Sequence, residues 1–114
     1  MNPRMRFLVL GPVEALDDGH ALPLGGTKQR LLLVILLLHA NEVVQRDRLV
    51  EGLWGGRLPS SPAQALDTYV SRLRKVLPDR IERRGGGYAL RVDAGELDLD
   101  DFERLATAGS HREA

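Results

Sequence analysis

The residues best suited to chemistry lie on one side of a helix that the sequence predicts from about Ser61 to Leu77. Its apolar residues recur at i, i+4, i+7 and i+11 and form a stripe made of Leu66, Val70, Leu73 and Leu77. The opposite side and its flank carry hydrogen-bonding and cationic side chains: Gln64, Thr68, Ser71, Arg72, Arg74 and Lys75. Side chains of these types can bond to base edges and phosphates in the major groove of DNA. We therefore predict that this helix, with Ser61 as N-cap and Pro62 at its first position, contacts DNA.

Other groups of reactive residues do not predict an enzymatic site. The three histidines, His20, His39 and His111, lie in separate segments and lack the i, i+4 spacing of a helical metal-binding pair. The run Gly85-Gly86-Gly87 lacks the Lys-Ser/Thr pair and the strand–loop–helix context of a phosphate-binding loop, so it is interpreted as a hairpin turn. We predict a protein without catalytic residues, metal or cofactor.

The net charge of zero conceals an uneven distribution along the chain. Residues 61–92 hold seven Lys/Arg against three Asp/Glu, whereas residues 93–114 hold two against seven. Asp67 is the only acid of the predicted helix, although a helix that only had to be soluble would more often carry Glu–Lys pairs. A basic block of this kind is typical of a nucleic-acid-binding surface. Charge alone is equally consistent with an ordinary solvated face.

Length and hydropathy indicate one globular domain. The chain has 114 residues, of which 43% are hydrophobic, enough for a single modest core. The most apolar stretch, residues 31–38, is too short to span a membrane and is expected to be a buried helix. The absence of cysteine fits the cytoplasm, and we expect a cytoplasmic, nucleoid-associated protein with no membrane partner.

The elements that must position the helix begin with an N-terminal β-meander. Strands are predicted over residues 6–11, 13–16 and 20–24, with Asp17-Asp18-Gly19 as a turn. A buried helix is predicted from Thr27, as its N-cap, to about His39.

The remaining elements complete a recognisable order. Val43-Val44 is a candidate strand, and a second helix starts at Arg46-Asp47 and stops at Gly55-Gly56. After the third helix, residues 80–84 and 88–92 predict a hairpin whose tip carries Arg83 and Arg84, and a further helix starts at about Asp98. This order predicts an α+β winged helix-turn-helix: an N-terminal antiparallel β-meander, three helices and a C-terminal β-hairpin wing. The wing arginines would contact the adjacent minor groove or its phosphates. The alternative is a small α/β domain with an ordinary exposed helix.

Several short motifs occur along the chain in an order and spacing that are typical of one protein family. They are FLVLGPVE at 7–14, KQRLLL at 28–33, DRL at 47–49 with LWG at 53–55, YVSRLRK at 69–75, GYALRV at 87–92, and DLD at 98–100 with FE at 102–103. From about Met5, nearly the whole chain resembles the N-terminus of the Streptomyces antibiotic regulatory protein (SARP) family. The resemblance implies an OmpR/PhoB-type winged-helix DNA-binding domain over residues 5–95. It also implies that residues 96–114 begin a helical bacterial transcriptional activator domain and are truncated.

The resemblance further implies a transcriptional activator of secondary-metabolite (antibiotic) biosynthesis genes. It would bind direct repeats in double-stranded promoter DNA as a head-to-tail homodimer and recruit the RNA polymerase holoenzyme. The loop Arg57-Leu58-Pro59-Ser60 is expected to contact polymerase, and Thr27, Lys28, Arg30 and Arg48 are expected to contact the DNA backbone. Three wing residues depart from the family, which often has prolines where this chain has Gly85-Gly86 and more commonly has Thr in place of Arg83.

Two alternatives to this function stay open. The chain could be the effector domain of a two-component response regulator, which shares the fold, or a basic protein-interaction module. Phosphate contacts would make log affinity fall steeply with log salt concentration, which distinguishes DNA binding from the second alternative.

Overall fold

The computed structural model describes residues 3–103, and contacts within it divide the chain into two units. The first unit comprises the described parts of Met1–Leu22 and Asp93–Ala114, and the second is Pro23–Val92. No helix among residues 3–103 is long and apolar enough to cross a membrane.

The first unit contains the predicted β-meander. Strands β1 (Met5–Leu8), β2 (Glu14–Asp17) and β3 (His20–Ala21) form an antiparallel sheet in the order β1-β2-β3. Asp18 and Gly19 connect β2 to β3 with φ values of 52° and 83°. The meander is confirmed, but β1 and β3 end earlier than predicted, because sheet pairing stops at Leu8 and Ala21.

The segment after Asp93 returns to this sheet. Leu97 forms a parallel bridge with Phe7, and both side chains are buried. Residues 98–103 are helical, as predicted from Asp98. The Asp98 carboxylate accepts hydrogen bonds from the backbone N–H groups of Val9 and Leu10, at 2.9 and 3.2 Å. His111 and most of the activator-domain segment expected over 96–114 lie outside the described residues.

The second unit contains the three helices predicted from the sequence: α1 (Thr27–Leu38), α2 (Arg46–Trp54) and α3 (Pro62–Val76). Each helix packs against the other two, and their shared core is mostly leucine: Leu32, Leu33, Leu36, Leu37, Leu49, Leu53, Leu66, Val70 and Leu73. The prediction that Thr27 caps α1 is wrong, because Thr27 is already helical and Gly26 is the N-cap. The Gly26 carbonyl accepts the first helical bond, from Arg30 N–H at 3.0 Å.

A second sheet lies beside these helices. Strands β4 (Val44–Gln45), β5 (Ile81–Arg84) and β6 (Gly87–Leu90) pair antiparallel in the order β4-β6-β5. The interpretation of Gly85-Gly86-Gly87 as the turn is wrong at its last residue, because Gly87 is the first residue of β6 and pairs with Gln45. A Cβ on Gly87 would lie 2.2 Å from the Val44 carbonyl oxygen, so only glycine allows β4 and β6 this close. The predicted α+β winged-helix architecture is confirmed.

Candidate nucleic-acid interface

Helix α3 has one buried and one exposed face, as its sequence predicts. Leu66, Val70 and Leu73 are buried, and Leu77, its C-cap, is buried as well. The candidate DNA-contacting side chains are all exposed: Gln64, Thr68, Ser71, Arg72, Arg74 and Lys75. Arg74 and Lys75 lie in the last turn, where cations interact favourably with the helix dipole. The face offers hydrogen-bond donors and acceptors together with positive charge; the contacts of each residue with DNA stay predictions.

The start of α3 is partly as predicted. Ser61 is the N-cap and Pro62 lies in the first turn, but the Ser61 hydroxyl makes no capping bond. Its carbonyl oxygen accepts a hydrogen bond from Ala65 N–H at 2.9 Å, which is the first helical bond.

A row of cations and aromatic rings connects α3 to α2 and α1. The Arg72 guanidinium lies 5.9 Å from the centroid of the Tyr69 ring, and that ring lies 6.3 Å from the ring of Trp54. Lys28 Nζ lies 6.0 Å from the Trp54 ring and donates to the Leu53 carbonyl at the end of α2. Lys28, expected to contact the DNA backbone, is therefore half-buried and engaged within the protein.

The other candidate backbone contacts are exposed. Thr27 and Arg30 lie in the first turn of α1, where Arg30 Nε donates to the Gly25 carbonyl at 2.9 Å. Arg48 lies in the first turn of α2. Their contacts with phosphates stay predictions.

The β5–β6 hairpin forms the wing, and the two arginines predicted to contact DNA from the wing lie at its tip. Arg83 and Arg84 are exposed, and Arg84 pairs with Glu82 at 2.6 Å on the same strand. The turn Gly85-Gly86 between the strands is exposed, and Gly85 has φ +54°, which favours glycine. The carboxylate of Glu82 therefore partly compensates the positive charge of Arg84. The side chain of Arg83, the preceding residue of β5, is exposed to solvent.

One acidic residue of α3 joins the helix to the wing. The Asp67 carboxylate accepts Arg46 Nη2 at 2.9 Å on each oxygen, and the Tyr88 hydroxyl donates to its Oδ1 at 2.8 Å. Arg74 lies over the Tyr88 ring at 5.7 Å, and its Nε donates to the Ile81 carbonyl at 3.4 Å. Burial raises the pKa of Tyr88 above its ordinary value, and the bond to Asp67 raises it further.

Sequence reasoning missed Arg46 and Tyr88 as parts of this arrangement. The available signal was Asp67 itself, because a single carboxylate on an otherwise basic helix face favours an ion pair with a nearby cation.

The loop between α2 and α3 is exposed at its tip. The side chains of Arg57, Leu58 and Ser60 are exposed, Leu58 to 57%, whereas Pro59 is half-buried. The Arg57 N–H donates to the Trp54 carbonyl at 3.1 Å, which anchors the start of the loop to α2. Leu58 therefore makes little contribution to the core. Within residues 3–103, no cluster of three His, Cys, Asp or Glu side chains could hold a metal ion.

Comparison with known proteins shows which proteins this chain is similar to in sequence. The family described as "Transcriptional regulatory protein, C terminal" matches residues 20–90. Regulatory protein AfsR of Streptomyces coelicolor is 45% identical over 106 residues, which cover 91% of this chain and 11% of AfsR.

Two solved structures are similar in both sequence and fold. The structure of Mycobacterium tuberculosis EmbR in complex with a low-affinity phosphopeptide has a TM-score of 0.88 at 34% identity and covers 95% of this chain and 30% of that one. The DNA-binding domain of CpxR from E. coli has a TM-score of 0.56 at 38% identity and covers 71% of this chain and 84% of that one. The chain thus spans about a tenth of AfsR and less than a third of EmbR.

Proposed function

The chain belongs to the family of OmpR/PhoB-type DNA-binding domains of transcriptional regulators, which are not enzymes, and from this membership we propose that it activates transcription from promoters containing direct repeats. Helix α3 would enter the major groove, and the β5–β6 wing would contact the neighbouring minor groove or its phosphates. The exposed polar and basic face of α3, opposite its buried leucines, is the observation that carries this proposal.

The chemistry of that face suits base reading. Arg72 and Lys75 can bond to guanine O6 and N7, and Gln64 can bond to adenine. Thr68 and Ser71 are small, so the helix backbone can approach the bases closely. The Thr68 hydroxyl already donates to the Gln64 carbonyl at 3.0 Å, which leaves its oxygen lone pairs as acceptors for DNA.

The regulated genes and the partners extend the proposal beyond the family. The motifs shared with the Streptomyces antibiotic regulatory proteins support control of secondary-metabolite genes by a homodimer bound head to tail, and a regulatory protein of Streptomyces coelicolor is 45% identical to this chain. The exposed Leu58 in the loop between α2 and α3 supports contact with the RNA polymerase holoenzyme. A protein that acts on promoter DNA in a bacterium works in the cytoplasm, on the nucleoid.

The proposed domain limits are 5–95 for the DNA-binding domain and 96–114 for the start of a helical activator domain. Supporting the second limit, residues 98–103 are helical and Phe102 is 55% exposed. Leu97 nevertheless pairs with Phe7, so the first residues of this segment belong to the same unit as the meander.

The experiment is footprinting on promoters that carry candidate direct repeats, followed by affinity measurements on the protected site and on a scrambled site. We expect protection of two adjacent major grooves and an affinity that falls with salt at a slope set by the phosphate contacts. Equal affinity for both sites at every salt concentration would contradict the proposal. Weak salt dependence together with binding to an acidic protein would favour the interaction module.

A second candidate is the effector domain of a two-component response regulator, because such a regulator has the same winged-helix fold. Both candidates bind promoter DNA through the same surface, and they differ in whether a phospho-acceptor domain controls that binding. Dependence of promoter binding on a phospho-acceptor domain in the full-length protein would support the response-regulator alternative.

A further inference from the structure

Asp67 has an unusual position for a carboxylate. It is the one acid between Pro62 and Val76, on the helix that we propose enters DNA, where a negative charge opposes the phosphates. Its two oxygens nevertheless accept three hydrogen bonds, all at 2.8–2.9 Å, from Arg46 and Tyr88. The carboxylate is thus directed to other elements of the protein.

Arg46 connects three elements through its backbone and its side chain. Its N–H donates to the Gly86 carbonyl in the wing turn at 2.9 Å. Its Nη2 reaches the Asp67 carboxylate and, at 3.3 Å, the Ala63 carbonyl in the first turn of α3. The first residue of α2 therefore holds the wing turn and α3 together.

Tyr88 makes the same connection from the wing. It lies in β6, is only 3% exposed, and pairs across the hairpin with Arg83. Its hydroxyl reaches Asp67, and its ring faces the guanidinium of Arg74 from α3. Tyr88, which pairs with a wing-tip arginine, is thus hydrogen-bonded directly to α3.

From these contacts we propose that Asp67 is a positioning residue for DNA binding, which fixes the wing relative to α3 and so sets the spacing between Arg72 and the wing arginines. A wing held in place before binding loses less conformational freedom when both surfaces contact DNA. Asp67 contributes no base contact, and its charge is compensated by Arg46. This inference rests on the proposed function.

The test is a double-mutant cycle on the protected promoter site. Tyr88→Phe removes one hydroxyl, and Asp67→Asn removes the charge that holds Arg46; each is measured with the native wing and with Arg83→Ala/Arg84→Ala. We expect each substitution to weaken binding about 2- to 10-fold with the native wing, the effect of one lost hydrogen bond. In the wing variant, where no wing contact remains to be positioned, we expect a change of less than about twofold.

Two controls separate positioning from damage to the fold. Asp17→Asn likewise replaces a carboxylate that pairs with an arginine, Arg4 at 2.6 Å in the β-meander, and should leave affinity unchanged. Circular dichroism melts of all variants confirm that they are folded at the assay temperature. In hydroxyl-radical footprints, Tyr88→Phe and Asp67→Asn should lose the protection of DNA by the wing and keep the protection by α3.

Several outcomes would overturn the proposal. An equal loss in both wing backgrounds would show that Asp67 and Tyr88 act on α3 alone. An equal gain for Asp67→Asn in both backgrounds would show that the carboxylate acts only as a repulsive charge, and no change in either background would show that the network is irrelevant to binding. If Arg72→Ala and the wing variant also bind normally, the proposed function has failed; if they lose affinity, only the role of Asp67 has failed.

Discussion

The Trp54 indole and the Tyr69 phenol lie 6.3 Å apart, centroid to centroid, with their planes inclined by 38°. A cation lies at each end of the pair, Lys28 beside Trp54 and Arg72 beside Tyr69. An aromatic pair contributes about 0.5–1.5 kcal/mol beyond its buried area, and an exposed cation–π contact about 0.5–1 kcal/mol. The row therefore stabilises the junction of the three helices and places the Arg72 guanidinium against a rigid ring.

Replacing Trp54 by Ala should lower the free energy of unfolding by about 3 kcal/mol. The indole lies beside Lys28 of α1 and Tyr69 of α3, but it is only half-buried, so the loss falls at the low end of the range for fully buried rings. Urea unfolding followed by circular dichroism measures it, with Trp54→Phe as the control that keeps a ring against Tyr69. An unchanged midpoint for Trp54→Ala would show that the indole does not stabilise the junction.

Arg72→Ala should weaken specific DNA binding by about 1–3 kcal/mol, because a bidentate contact to guanine contributes that much discrimination. Its counterpart is Arg48→Ala, an exposed arginine of α2 expected to contact phosphate. Arg48→Ala should weaken binding to cognate and scrambled sites equally and reduce the salt slope by about 1. Gel-shift titrations on both sites at several salt concentrations measure these effects. Equal losses on both sites for Arg72→Ala would make it a phosphate contact, and no loss would refute its role.

The sequence predicts those features that are determined within one helix or strand, and it does not predict those that depend on contacts between distant segments. The buried stripe of α3 was visible because its period repeats within one element. The ends of β1 and β3 could not be predicted from their own residues, because each strand ends where pairing with its neighbour stops. Arg46 and Tyr88 each lie 21 positions from Asp67, so no spacing rule connects them. Gly87 likewise resembles a turn glycine until β4 is placed against it.

Gly87→Ala should destabilise the protein by about 1–3 kcal/mol or more, the cost of overpacking a site that cannot give way. The added methyl would meet backbone atoms, with the Val44 carbonyl oxygen at 2.2 Å, so β4 would have to separate from β6. Gly86→Ala is the matched control, because its methyl would meet only the end of the Gln45 side chain, at 3.0 Å. Thermal unfolding compares the two. Equal stability of both variants would contradict the close approach of β4 and β6.

Stability should decline at alkaline pH because of Tyr88. Its pKa is raised in the folded protein, first by burial and then by the bond to Asp67, so the unfolded chain loses this proton at a lower pH. The stabilisation is complete below about pH 10, where an unfolded tyrosine titrates, and is lost as pH rises through the folded pKa. Urea unfolding from pH 8 upwards measures the decline, and Tyr88→Phe should make it shallower than in the native protein. Identical pH profiles would show that another group causes the decline.

The last prediction separates DNA binding from activation at the loop between α2 and α3. Leu58 is 57% exposed, so removing its apolar side chain has little cost to the core, and Arg57 is exposed beside it. Arg57→Ala with Leu58→Ser should keep promoter affinity near normal while transcription initiated in vitro falls, because the loop would lose its contact with polymerase. Leu38→Ser is the matched control: Leu38 is 55% exposed, at the end of α1 and outside the loop, and its replacement should leave both measurements unchanged. If affinity and transcription fall together in the loop variant, the loop is structural and the activation surface lies elsewhere. If neither changes, the contact with polymerase does not depend on these two side chains.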